Sequence, residues 1–200
     1  MEIDLKDKIE TVEERASTFC EENGIEVVFT HEMSTEQMEE ISKRTEKYPN
    51  MYNASLQTLE NRLKNGCFLL MKDEQILGHI FAHKHVVDKY AVFERSSLWV
   101  HPDYRTHNLG FLLMHNLTSK YTSDFVISIA QEPRVHHNNE LLGMKRIPLS
   151  ELSPVLIEAL EKLGKLRDEV KYRYYVNPHF EKKIHQFNKI LNNQKNKNLS

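Results

Sequence analysis

The segment Leu98–Met114, L-W-V-H-P-D-Y-R-T-H-N-L-G-F-L-L-M, holds the densest chemistry in the chain. An apolar, β-branched run ends at Val100, a polar turn follows, and a helical pattern opens at Asn108-Leu109-Gly110. The first N–H groups of a helix have no intrahelical partner, and the aligned peptide dipoles put positive potential there. A phosphate or pyrophosphate is the natural ligand of such a turn. The candidate cradle therefore runs through Arg105, Thr106, His107 and Asn108 into Leu109, Gly110 and Phe111. Arg105 adds a charged donor. Gly110 leaves room for a ligand to come close.

A second candidate lies just upstream. If Asp88-Lys89 is a two-residue hairpin turn, Val87 faces Tyr90 and His83 faces Glu94. His79, His85 and Ser96 then share that face. A carboxylate beside an imidazole holds its tautomer and raises its basicity, or relays a proton through water. Glu94 is thus the candidate base, with His83 as its helper. Taken alone, such a pair is more often a structural cross-strand contact. Three imidazoles at strand spacing on one face, His79, His83 and His85, with no Cys partner, make a poor zinc site, and no metal is expected.

Regular elements must position these groups. The sequence predicts a helix over 6–22 ended by Asn23-Gly24 and a strand over 25–30. A helix over 35–47 follows a Ser34/Gln37 capping box, and another spans 55–64. An antiparallel meander comes next, with strands at 67–71, 76–87 and 90–100. The phosphate turn leads into a helix over 109–121, and a strand spans 125–130. Past a short segment in which His136-His137 reads as loop, a helix spans 154–166, a strand 171–176 and a helix 178–191. Residues 192–200 read as a disordered polar tail. The order describes an α/β chain.

Composition narrows the classes. The chain has 200 residues with a net charge of −2, which disfavours a protein that grips nucleic acid through a basic surface. The charge is uneven, with 14 acidic against 6 basic residues in the first fifty, and 10 basic against 6 acidic in the last fifty. An anion is better received away from the acidic quarter. Two cysteines exclude a disulfide framework. With no secretory signal and no run of membrane-spanning length, a reducing, cytoplasmic location and no membrane partner are the expectation.

The turn resembles motif A of the GNAT-superfamily N-acetyltransferases, V-x-P-x-Y-R-x-x-G-x-G/A followed by apolar helix residues. Val100, Pro102, Tyr104, Arg105 and Gly110 match in register, and Leu112-Leu113 supply the apolar face. The motif's first glycine is Asn108, the residue type after glycine that best adopts φ > 0, so the backbone turn is expected to survive. The resemblance spans roughly residues 25–176. It implies a GNAT-like, mostly antiparallel mixed sheet flanked by helices, with a helical extension over 1–24 and a helix plus polar tail over 177–200.

The resemblance further implies acetyl-CoA as donor and a primary amine, on a small molecule or a protein, as acceptor. The amine attacks directly in a ternary complex. Backbone N–H groups at Leu98 to Val100, where the fourth and fifth strands splay, would receive the thioester oxygen, and the turn would receive the phosphates. The family's frequent general acid, a Tyr four residues before the glycine at Gly143, is Asn139 here. That leaves water, His136, His137 or no group to protonate the thiolate. A non-catalytic acyl-CoA sensor on the same fold is the alternative. The added terminal helices are candidates for a homodimer contact.

Overall fold

The computed structural model describes residues 4–47 and 54–197. Local chemistry sets the first elements. Asp4 caps α1 (Leu5–Glu22), accepting from the Lys6 N–H, and the helix stops at Asn23 before Gly24 at φ 64°. Strand β1 (Glu26–Thr30) follows. Helix α2 (Thr35–Lys47) opens on a reciprocal box, in which the Gln37 N–H donates to Ser34 Oγ and the Ser34 N–H to Gln37 Oε1. Ser55 caps α3 (Leu56–Leu63) through the Thr58 N–H.

The meander is β2 (Cys67–Lys72), β3 (Gln75–Val87) and β4 (Tyr90–Val100). Asp73 and Glu74, both at positive φ, turn β2 into β3, and Asp88 at φ 57° turns β3 into β4. A 3-10 turn at Pro102–Tyr104 leads to α4 (Leu109–Lys120), and β5 (Phe125–Ala130) pairs in parallel with β4 at Val92–Glu94. The chain continues through α5 (Pro133–Leu141), β6 (Lys145–Ile147), α6 (Pro154–Lys162), β7 (Arg173–Val176) and α7 (Pro178–Lys197). The strand order is β1-β2-β3-β4-β5-β7-β6, a mixed and mostly antiparallel sheet with the helices around it.

Two compact units are resolved. One runs as far as Lys84 and resumes at Arg95–Lys120; the other is His85–Glu94 and the chain from Tyr121 onward. The first closes over Ile41, Leu59, Cys67, Leu69 and Phe81. The second closes over Val87, Val92, Ile127, Tyr174, Phe180 and Phe187.

Four expectations from the sequence are corrected here. The segment after β5 contains α5 and β6. His136 and His137 lie on α5, whose buried residues His136 and Asn139 are polar, so no apolar period marks the helix. Helix α6 stops at Lys162, two residues before Gly164 at φ 64°. Strand β7 begins at Arg173 rather than 171. Helix α7 runs on to Lys197, held beyond the buried Leu191 by Lys195 Nζ, which donates to Glu158 Oε2 on α6 (3.2 Å).

Candidate functional site

The candidate phosphate turn is built almost entirely from backbone. The 3-10 turn is closed by Tyr104 N–H to the His101 carbonyl (2.9 Å) and Arg105 N–H to Pro102 (3.3 Å). Arg105 Nε donates to the Val100 carbonyl at 3.0 Å, which ties the turn to the end of β4. Asn108 stands at φ 58°, in the left-handed region, and its carbonyl accepts the first helical bond of α4 from the Leu112 N–H (3.0 Å). Leu109 and Phe111 bury their side chains, so the main chain is what they offer a ligand. Thr106 and Arg105 are exposed.

Gly110 tests whether the turn fits an anion. A Cβ placed there would meet one atom within 4 Å, Val100 Cγ2 at 3.8 Å, an ordinary contact. Its φ is not left-handed either, since the positive-φ glycines are others. Neither internal packing nor backbone conformation requires glycine at the first turn of α4. What it provides is open space in front of unpaired N–H groups, as a phosphate needs.

Just upstream, β4 is irregular. Ser97 adopts φ 51° inside the strand. Its hydroxyl receives a hydrogen bond from buried Arg62 Nη1 (2.5 Å), and its carbonyl lies 2.7 Å from His79 Nδ1. Burial, and secondarily the Arg44 guanidinium, lower the His79 pKa to about 3, so the ring is neutral at ordinary pH. A carbonyl only accepts, hence Nδ1 carries the proton. In a trans peptide the N–H lies opposite the C=O, so the Leu98 N–H points away from the His79 ring. Leu98 is half-buried, and Val100 is buried. Sequence reasoning names neither Ser97 nor Arg62 and places His79 only among the imidazoles on one face of β3; a left-handed residue inside a strand leaves no local signal.

Glu94 belongs to a different kind of site. It is 6% exposed, with Oε2 2.7 Å from His85 Nε2 and Oε1 accepting from Lys165 Nζ at 3.1 Å. Lys165 is itself buried, and its carbonyl accepts from the Tyr174 hydroxyl (3.3 Å), which in turn accepts from the Arg167 N–H (2.7 Å). Burial, more than any neighbour, raises the Tyr174 pKa. The His85 imidazole is hydrogen-bonded to Glu94, and His83 stands half-buried two residues earlier on β3. Lys165, 71 residues away, has no local signature in the sequence.

Asn139 is fully buried and donates through Nδ2 to Ser128 Oγ (3.3 Å), pinning α5 to β5. His136 is buried and stacks on Tyr175, with ring centres 5.8 Å apart. Burial and then Arg173 push its pKa down. A pocket of about 340 Å³ opens beside it, lined by Gln131, His137, Glu140, Lys171 and Arg173 among others.

The sequence model of the acetyltransferase (GNAT) family matches residues 27–140, more than half of the chain and all of the turn. The protein belongs to the GNAT acetyltransferase family. Solved structures share its fold at low identity. N-acetylglutamate synthase from Neisseria gonorrhoeae, complexed with coenzyme A and N-acetyl-glutamate, superposes with a TM-score of 0.57 over 76% of this chain at 13% identity. The present GNAT chain covers 34% of that synthase, about a third of its length. An acetyltransferase from Streptococcus agalactiae gives 0.54 at 18% identity, over 77% of this chain and 98% of its own. Arabidopsis thaliana NAA60 in complex with acetyl-CoA gives 0.52 at 10%, over 76% and 97%. A search of curated proteins finds no match to this GNAT sequence. No helix among the described residues is long and apolar enough to cross a membrane.

Proposed function

We propose that the protein is an N-acetyltransferase that takes acetyl-CoA as donor and a primary amine as acceptor in a ternary complex. The observation that carries this reading is the turn from Val100 to Gly110, in a chain of the GNAT family. It presents a left-handed Asn108, unpaired helix-start amides and an undemanded glycine. The Arg105–Phe111 stretch would receive the pyrophosphate. The Leu98 and Val100 N–H groups would receive the oxygen that gains charge as the thioester carbonyl is attacked, with the Ser97 clamp keeping the Leu98 N–H aimed.

The acceptor arrives as an ammonium with a pKa of about 10.4 if it is lysine-like, and must lose a proton first. We assign that proton to Glu94, with the β3 imidazoles as carriers. His85 is bonded to the carboxylate, and His83 is the half-buried ring next along the same side of the strand. Asn139 has no acidic proton to give, so the departing thiolate is protonated by water or by His136 or His137. The catalytic domain is read as residues 25–176, with 1–24 and 177–200 as additions. A cytoplasmic location fits two thiols, Cys20 and Cys67, that are buried and free.

Calorimetric titration with acetyl-CoA, followed by thiol release across a panel of amines, tests the reading. Absence of binding at millimolar acetyl-CoA would sink it. The alternative is a non-catalytic acyl-CoA sensor, favoured by the buried Asn139 and by a carboxylate whose two oxygens are both engaged. It requires binding without turnover on any amine, and a Glu94→Gln protein that works unchanged.

A further inference from the structure

We propose that Phe19, on α1 and outside the segment matched by the family model, is a positioning residue for the phosphate turn. The Phe19 ring lies flat on His107, with ring centres 3.7 Å apart and planes 9° apart. The same ring meets Tyr104 edge-on at 6.4 Å. It therefore touches the turn at the last residue of the 3-10 segment and at the residue immediately before Asn108. A second link ties α1 to α4: Glu13 Oε2 lies 3.3 Å from His115 Nδ1, a close polar contact without the alignment of a hydrogen bond. Ala16 and Cys20, on the same side of α1, are buried.

The turn needs such a brace. The main-chain bond from the His107 N–H to Tyr104 is long, at 3.5 Å. One residue later the chain must hold Asn108 in a conformation that a non-glycine residue adopts reluctantly, and such residues persist only where their surroundings fix them. Gly110 adds no side chain to help. A flat aromatic stack on His107 restricts the turn from the side, and thereby keeps the α4 amides facing the ligand. The helix that precedes the family core is thus a working part of its anion site.

The inference rests on the acetyl-CoA reading, and the experiment separates the two. Affinity for coenzyme A is measured by calorimetry on the full chain and on Phe19→Ala, Phe19→Leu, Phe19→Tyr and His107→Ala. Amide exchange is followed at residues 105–111. Phe19→Ala is expected to weaken coenzyme A binding about fivefold, as the loss of one aromatic pair implies. It should also speed exchange in 105–111 while protection in the sheet is unchanged. Phe19→Tyr should restore both, and Phe19→Leu, with similar apolar bulk but no flat ring, should not. His107→Ala should reproduce the loss, and adding it to Phe19→Ala should cost nothing more.

If the unaltered protein fails to bind coenzyme A, the functional reading falls. If it binds and Phe19→Ala binds equally well, the positioning role falls. Full rescue by leucine would reduce Phe19 to bulk packing and also overturn it. Should Phe19→Ala not fold, the leucine and His107→Ala proteins decide the matter by the same measures.

Discussion

In the turn from Val100 to Gly110, the groups that would meet a ligand are backbone N–H groups from contiguous residues, and what matters about Gly110 is a side chain it lacks. Around Glu94 the working groups are three buried side chains, from β3, β4 and the loop after α6. The turn is an open cradle of backbone in which Gly110 has little to lose internally. The Glu94 group is a buried network in which the carboxylate holds both His85 and Lys165. Altering the first should therefore change binding without touching stability, whereas altering the second should change both.

The largest effect tests the first half of that statement. Gly110→Trp fills the space before the α4 amides and should reduce acetyl-CoA affinity by more than about a hundredfold. Folding should be preserved, because the protein has room for a Cβ there and glycine is a poor helix former, by about 1 kcal/mol relative to alanine. Calorimetry against a thermal melt distinguishes the outcomes. A melting point far below that of the unaltered protein would mean that the glycine is structural.

Next comes Glu94→Gln. Loss of the base should lower kcat by about a hundredfold or more, with acetyl-CoA affinity kept. Unlike the turn variant it should also destabilise, by about 3 kcal/mol, because Lys165 is left buried opposite a neutral partner. Adding Lys165→Met should recover much of the stability and none of the rate. If the double variant regained turnover, Glu94 would be a scaffold for Lys165 and not a base.

The same contrast explains what could be read from the chain. The geometry of the turn was legible because its parts are local: an ending strand, a Pro-Asp turn and an Asn-x-Gly step are adjacent in sequence. The meander was legible for a similar reason, since Asp88-Lys89 marks where β3 ends and β4 begins. The Glu94 group was half legible. Alternation put His79, His83 and His85 on one side of β3, but choosing among them takes side-chain geometry, and Lys165 enters only when the chain has closed. Strand irregularity was hidden too. Nothing in Ser96-Ser97 announces a left-handed residue, because its cost is met by Arg62 and His79 from other elements. Helix α5 was missed because Asn139 and His136 bury polar groups where an amphipathic pattern would show apolar ones.

A smaller effect concerns the clamp on Ser97. The His79 pKa is near 6.5 in the unfolded chain and about 3 in the folded one, so between those values the unfolded state holds the extra proton. Stability is therefore unaffected by this group above pH 6.5 and falls as the pH drops below it, at about 1.4 kcal/mol per unit. Urea melts at pH 7.5 and 5.5 should show a loss on the order of 1 kcal/mol that His79→Asn lacks. Equal losses in both proteins would show that the ring is not held neutral.

The smallest effect is the most pointed test of the turn. Asn108→Gly removes the strain of a left-handed asparagine but gives the unfolded chain more freedom. The two terms are similar in size and opposite in sign, so stability should shift by less than about 0.5 kcal/mol. If backbone N–H groups do the binding, acetyl-CoA affinity should stay within about threefold. Asn108→Val is the counterpart. A β-branched residue at φ 58° is strained by about 1–3 kcal/mol, so the turn should relax to another conformation and affinity should fall at least tenfold. A tenfold change with glycine, in either direction, would place the contact on the asparagine side chain. The turn would then be, like the Glu94 group, a site made by what its residues carry and not by how its backbone bends.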